Sequence, residues 1–309
     1  MKDNNRALYA HLSMFGACVM WGLMAPIGKD AMTHGVDGFD VVLFRVIGGA
    51  LLFWLAALFG PKEQVTTRDK LLFAGAAVFG IICNQCCFTI GLSITSPGNA
   101  SIMTTSMPIF AMVLSFLILK EPITWKKAGG VLIGCAGALT LILTSVSAND
   151  TRVGDIRGDL LCLGAQCSYA LYLSLFNPLI RRHNPLTVNK WMFLWAAVIL
   201  TPLLGYHTVT TVPWTRVPQQ TWWDVAYVIV FGTFVSYLFC INGQRTLRPT
   251  VVSIYNYVQP LVSVTVSVLC GLGVFKWSQG LAVILVFTGV WMVTKSKSRR
   301  DLERAFETK

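Results

Sequence analysis

Apolar residues gather into ten runs along this chain, near residues 10–28, 41–60, 71–92, 100–119, 128–146, 160–180, 188–206, 222–242, 251–272 and 277–294. Each is close to the ~20 residues that cross a bilayer as a helix. The polar stretches between them are charged unevenly. Of 25 Lys and Arg, 19 lie before the first run, after the last, or in every second gap between. The alternate gaps hold Lys29, Arg152, Arg157, Arg216 and Lys276, and Arg45 lies inside the second run. The positive-inside bias therefore predicts a multi-pass protein with ten crossings and both termini cytoplasmic, placed in the cytoplasmic (inner) membrane.

Sliding the chain on itself by 152 residues pairs Gly91 with Gly243, Pro97 with Pro249, Ser101 with Ser253, Pro108 with Pro260, Trp125 with Trp277 and Gly137 with Gly289. Glycine, proline and tryptophan matches weigh most, because these residues are rare or are placed for backbone reasons. The shift lays runs three to five on runs eight to ten, and Trp21 in run one aligns more loosely with the region of Tyr169 in run six. Five crossings per half is an odd number, so the second half enters the membrane upside down. The predicted fold is all-α: a first five-helix repeat over 1–146, a polar linker over 147–158, a second, inverted repeat over 159–294 and a basic tail over 295–309. Inverted repeats are a transporter architecture, since one half can rock against the other around a central site.

The chain resembles the drug/metabolite transporter superfamily, in particular its ten-helix EamA-type exporters, along nearly its whole length. The resemblance rests on Trp21-Gly22, Phe44-Arg45, the stretch from Gly91 through Ser96-Pro97 to Pro108, and Leu119-Lys120-Glu121-Pro122. It implies fold and broad class, not substrate. The second half of that family often repeats the acidic residue found here at Glu121, where this chain has Gly273.

Composition agrees. With 54% hydrophobic and 13% charged residues and a mean hydropathy of +0.61, ten crossings leave no room in 309 residues for a soluble domain. The net charge of +11 sits in short loops and the tail, which points to anionic lipid and excludes nucleic acid as partner. Lys2 and Arg6 precede a long apolar run without a clear small-residue cleavage site, and we read it as an uncleaved helix. All nine cysteines fall within the runs as packing residues, and Cys83, Cys86 and Cys87 lack a His or second Cys pair to complete a metal site. No cofactor or metal motif is present, and the expected form is a monomer without an obligate protein partner.

Runs four and nine carry matched polar ladders, Ser101, Thr104 and Thr105 against Ser253, Asn256 and Tyr257, ahead of Pro108 and Pro260. Spacings of three and four place each ladder on one helical face. The prolines remove an internal hydrogen bond and bend the helix or free a carbonyl at membrane depth. Either the ladders flank a substrate path, with the prolines as gating points, or their polar groups bond across helices as structural glue. Asn84, Gln85 and Phe88 in run three lie opposite Ser236, Tyr237 and Cys240 in run eight, and Trp21, Tyr169 and Tyr172 set aromatic rings at helix centres. Polar amides at mid-membrane must face protein or water, and such rings suit a cavity wall or plain core packing. The expected substrate-binding set is Trp21, Asn84, Phe88, Ser101, Thr104, Thr105, Tyr169, Tyr172, Tyr237, Ser253, Asn256 and Tyr257. Arg45 either snorkels to the outer headgroups or builds an outer gate with Lys29, Asp30 and Asp40. Runs five and ten are rich in glycine, Gly129, Gly130, Gly134 and Gly137 against Gly280 and Gly289, and form a packed back wall.

No Asp or Glu lies deep in any run, and the four His are scattered. No cluster supports intramembrane catalysis, so no enzyme is expected. The leading expectation is a secondary transporter exporting a small metabolite, an amino acid or similar zwitterion, by alternating access. The alternative on the same fold is an antiporter of nucleotide sugars or phosphorylated metabolites, which needs several basic residues at mid-depth.

Overall fold

The computed structural model describes residues 2–95, 100, 103–145, 156–269 and 277–297. Among these residues the chain is helical and contains no strand. Helix α1 (Lys2–Thr33) turns into α2 (Gly38–Phe59) through Gly35, whose φ of 98° is left-handed backbone that a side chain disfavours. Asp37 then caps α2: its carboxylate accepts from the N–H groups of Phe39 and Asp40, while the Asp40 carboxylate accepts from the Asp37 N–H. This reciprocal box satisfies the free donors of the first turn and fixes where α2 begins.

Next come α3 (Thr67–Ala77) and α4 (Asn84–Ile94), joined without a break by a π-helical segment, Val78–Cys83. After α5 (Met107–Leu119), α6 (Trp125–Ser145), α7 (Ile156–Leu175) and the short α8 (Asn177–Arg182), the chain runs up α9 (Pro185–Thr211). A second interrupted rod consists of α10 (Gln219–Ile229), the π-helical Val230–Val235 and α11 (Ser236–Thr246). Helices α12 (Pro249–Ile254) and α13 (Val258–Leu269) are joined by a 3₁₀ turn, Tyr255–Tyr257, and α14 (Trp277–Thr294) closes the described chain.

The 152-residue register seen in the sequence recurs in the backbone. It carries α3 onto α10, Val78–Cys83 onto Val230–Val235, α4 onto α11, and the first residue of α6, Trp125, onto the first of α14, Trp277. Both π segments therefore fall at one register position. Helix α7 begins at Ile156, within the stretch read as linker.

Among the described residues, five helical stretches are long and apolar enough to cross a membrane: Asn5–Met24, Gly38–Phe59, Thr67–Leu92, Pro185–Thr211 and Gln219–Thr246. Shorter apolar helices, Met107–Leu119 and Gly280–Thr294, join them. Around run nine the expected single bent helix is instead tightened to 3₁₀ geometry, and before α5 the Ser106 N–H bonds to the Met103 carbonyl in the same i to i+3 pattern. The prolines explain the position: Pro108 and Pro260 have no N–H for the carbonyls of Thr104 and Asn256, four residues earlier.

Packing is cross-wise. Helix α1 lies against α11 and α13, α7 lies against α4 and α5, α2 runs along α9, and α6 along α14. In the last pair the backbones touch: a Cβ at Gly289 would stand 2.6 Å from the Gly130 carbonyl oxygen, and one at Gly137 would stand 2.9 Å from that of Ala282. Only glycine allows that approach. The core between the helices is filled by Phe53, Phe73, Tyr172, Phe193 and Tyr257. Leu58, Leu203 and Ile284 instead stand outward, a shell of apolar side chains larger than a water-facing surface tolerates.

Candidate functional site

One cavity of about 390 Å³ opens among α1, α2, α4, α7, α11 and the α12–α13 turn. That volume is within the range that encloses a small molecule. Its wall is built from helical stripes. Trp21, Met24, Gly28 and Met32 come from α1, Val41 and Arg45 from α2, and Asn84, Gln85, Phe88, Thr89 and Leu92 from α4. Ala100, Thr104, Gln166, Tyr169, Val228, Tyr237, Asn256 and Gln259 complete it. The spacings of three, four and seven are those of a single helix face.

The polar lining is held by short bonds to backbone. The Trp21 indole N–H donates to the Gly232 carbonyl at 3.1 Å, within the second π segment, and the Asn84 amide donates to the Ala165 carbonyl at 2.9 Å. Across the cavity the Gln85 amide donates to the Tyr237 hydroxyl at 3.1 Å, and these two residues are 152 apart in sequence. The Trp21 ring meets the Tyr237 ring edge to face, with centroids 5.7 Å apart. The Gln259 amide donates to the Asn256 side-chain oxygen at 3.1 Å. Tyr169 receives the Gln244 amide at 3.1 Å. Arg45 donates through Nε to the Thr233 hydroxyl at 3.1 Å, and that hydroxyl in turn donates to the Val228 carbonyl at 2.9 Å.

Of the candidates read from sequence, Trp21, Arg45, Asn84, Phe88, Thr104, Tyr169, Tyr237 and Asn256 line this cavity. Ser101 lies outside the described residues. Four others turn away from it. The Tyr257 hydroxyl donates to the carbonyls of Thr105 and Val131, both at 3.3 Å, which ties α6 to the two interrupted segments. Thr105 is buried and its hydroxyl faces the Cys135 thiol. The Ser253 hydroxyl donates to its own helix at Thr250. Tyr172 packs on Gly80 and donates to the Gln244 side-chain oxygen at 3.0 Å. For Tyr257 the reason is the 3₁₀ turn over Tyr255–Tyr257, whose tighter winding sets it about 120° around from Asn256, whereas Ser253 precedes that turn in α12. Pro108 and Pro260 are not wall residues either. Their effect is on backbone, at Thr104 and Asn256. Arg45 is a lining residue whose recorded partner is the Thr233 hydroxyl, and among the described residues it forms no ion pair with Asp40.

Gln85, Gln166, Gln259, Met24 and Met32 also line the cavity, outside the expected binding set. A glutamine at mid-helix was the available signal for the first three. Gln166 and Gln259 have no polar counterpart 152 residues earlier, where Met14 and Met107 stand.

Each end of the bundle carries a histidine held by carboxylates. At one end His207 Nε2 lies 2.6 Å from Asp37, the N-cap of α2. At the other His183 lies between Glu63 at 2.9 Å and Asp69 at 3.2 Å, on opposite ring nitrogens. Burial pushes the Glu63 carboxyl up, but the Asn184 N–H, the Thr187 hydroxyl and His183 outweigh it and hold the group below its ordinary value. Asp37, Asp40 and His207 are the one group among the described residues with donor atoms close enough for a metal, within 4.8 Å of one another. Both Asp37 oxygens, His207 and one oxygen of Asp40 are engaged in the capping box and the His207 contact, which makes the cluster a helix cap.

Comparison with known proteins follows the same outline. The model of the EamA-like transporter family matches residues 8–143 and again 156–295. The Bacillus subtilis transporter YyaM is 24% identical over 80% of this chain and 80% of its own length. A protein of Chlamydia trachomatis serovar L2 named as an S-adenosylmethionine/S-adenosylhomocysteine transporter is 25% identical over 78% of this chain and 76% of its own. A crystal structure superposes with a TM-score of 0.73 at 16% identity, covering 92% of this chain and 96% of that one, which shows the fold.

Proposed function

The chain belongs to the EamA-like transporter family, and from that premise we propose that it is a secondary transporter carrying a small metabolite through the central cavity by alternating access. The observation that carries this reading is the cavity's make-up: residues from before and after the linker face one another across it, with Gln85 bonded to Tyr237, its own counterpart in the repeat. Residues on a pseudo-two-fold axis meet their counterparts. Tyr257 and Thr105, also 152 apart, do the same. These contacts, the paired π segments and the twofold match of the family model support two inverted five-helix repeats and ten crossings. In such a carrier the halves rock about the axis and open the site to either side.

The loop charges favour cytoplasmic termini, and in this reading the transporter exports an amino acid or similar zwitterion. Rings from Trp21, Phe88, Tyr169 and Tyr237 supply apolar faces, and Asn84, Gln85, Gln166, Asn256 and Gln259 supply hydrogen bonds in both senses. The same rings and amides suit a purine joined to an amino acid, and relatives named for S-adenosylmethionine and S-adenosylhomocysteine make that a second reading. A phosphorylated substrate is disfavoured, because Arg45 is the sole cation among the described lining residues. Flux of radiolabelled amino acids, S-adenosylmethionine and S-adenosylhomocysteine in proteoliposomes tests the reading. Saturable flux of at least one supports it, and no flux above protein-free vesicles for any contradicts it.

A further inference from the structure

Among the described lining residues, Arg45 is the one formal charge. Its Nε bonds to a neutral hydroxyl, that of Thr233, and among the described residues it forms no ion pair. No Asp or Glu is among the described lining residues. A guanidinium within a membrane span is costly, and is kept where it faces a watery path and meets a counter-charge. Here the Thr233 bond engages Nε alone, and Arg45 is one of the residues that line the cavity. The Tyr237 ring beside it adds a wall without charge.

We infer that Arg45 is the substrate's anion anchor, and that the transported molecule carries a carboxylate bound by the guanidinium fork while its organic part lies against Trp21 and Tyr237. The inference rests on the transporter reading above and narrows it. A planar guanidinium with paired N–H donors matches a carboxylate in bidentate fashion, which an ammonium does not reproduce. A single guanidinium in a cavity with amides and rings suits one carboxylate on a compound of amino-acid size better than a multiply charged phosphate. A substrate ammonium, when present, is served by ring faces and amide oxygens, since no carboxylate is there to receive it. Thr233 acts as a positioning residue, because it holds Nε and so aims the fork.

The test compares each transported carboxylate with its isosteric carboxamide as competing substrates in proteoliposomes. The wild-type protein should prefer the carboxylate by about tenfold or more, the order expected for a charge-assisted bond. In Arg45→Gln that ratio should fall toward one, and Arg45→Lys should recover part of it. The wild-type ratio needs no variant, so the result stands even where Arg45→Gln fails to fold. Equal transport of carboxylate and carboxamide by the wild type would overturn the inference while leaving the transporter reading intact. Absence of flux for every compound would overturn both.

Discussion

The carbonyl groups of Thr104 and Asn256 lie opposite one another in the repeat, each four residues before a proline that offers no N–H to pair with it. Both residues line the cavity, so a polar loss there is expected to act chiefly on the substrate. Thr104→Val and Asn256→Ala should each weaken apparent affinity, up to about tenfold, by ~0.5–1.5 kcal/mol, with folded yield near normal. Uptake kinetics beside size-exclusion yield checks this, and lost yield with unchanged kinetics would reverse the assignment. Tyr257 should behave in the opposite manner. Its hydroxyl is spent on the carbonyls of Thr105 and Val131, so Tyr257→Phe should cost ~1 kcal/mol of stability and leave the apparent affinity alone. Thermal unfolding in detergent measures the first and uptake the second. At the end of the bundle, the low-held Glu63 carboxyl contributes stability that is complete above its unfolded value of about 4.3 and fades as pH falls through its folded value. Between about pH 6 and about pH 3 the wild type should therefore lose more thermal stability than Glu63→Gln. Equal acid sensitivity in the two would remove Glu63 from the account.

At the scale of elements, α6 and α14 form a wall whose contact depends on missing side chains. A Cβ at Gly134 would meet the Tyr257 ring at 2.7 Å, whereas one at Gly164 meets nothing within 4 Å. Gly134→Leu should therefore lower folded yield by overpacking, at a cost of ~1–3 kcal/mol, while Gly164→Leu should not. Fluorescence-detected size exclusion of the two variants decides it: normal yield of Gly134→Leu would mean the wall is not packed as described. The same scale shows what sequence can and cannot tell. Runs, loop charges and the glycine wall were legible because lipid imposes uniform rules on every helix. Trp21, Asn84, Tyr237 and Asn256 were legible as polar or aromatic groups at mid-run. The face of Tyr257 was not, because face arithmetic assumes 3.6 residues per turn and Tyr255–Tyr257 winds as 3₁₀. The paired π segments were equally hidden, since nothing in Val78–Cys83 or Val230–Val235 announces a wider turn.

For the whole molecule, the charge bias makes a directional claim. A single Cys near Thr151 in a Cys-less background should be labelled from outside the cell by an impermeant thiol reagent, and one near Lys126 should not. Reversed labelling would invert every loop. The central claim, however, is that one cavity serves both sides of the membrane. Its most direct measurement is counterflow in proteoliposomes carrying Asn256→Cys in the Cys-less protein: internal unlabelled substrate should accelerate entry of labelled substrate, and impermeant thiol reagent applied on either side should abolish that exchange. Absence of trans-acceleration, or exchange that survives modification of Cys at this position from both sides, would contradict a central alternating-access site.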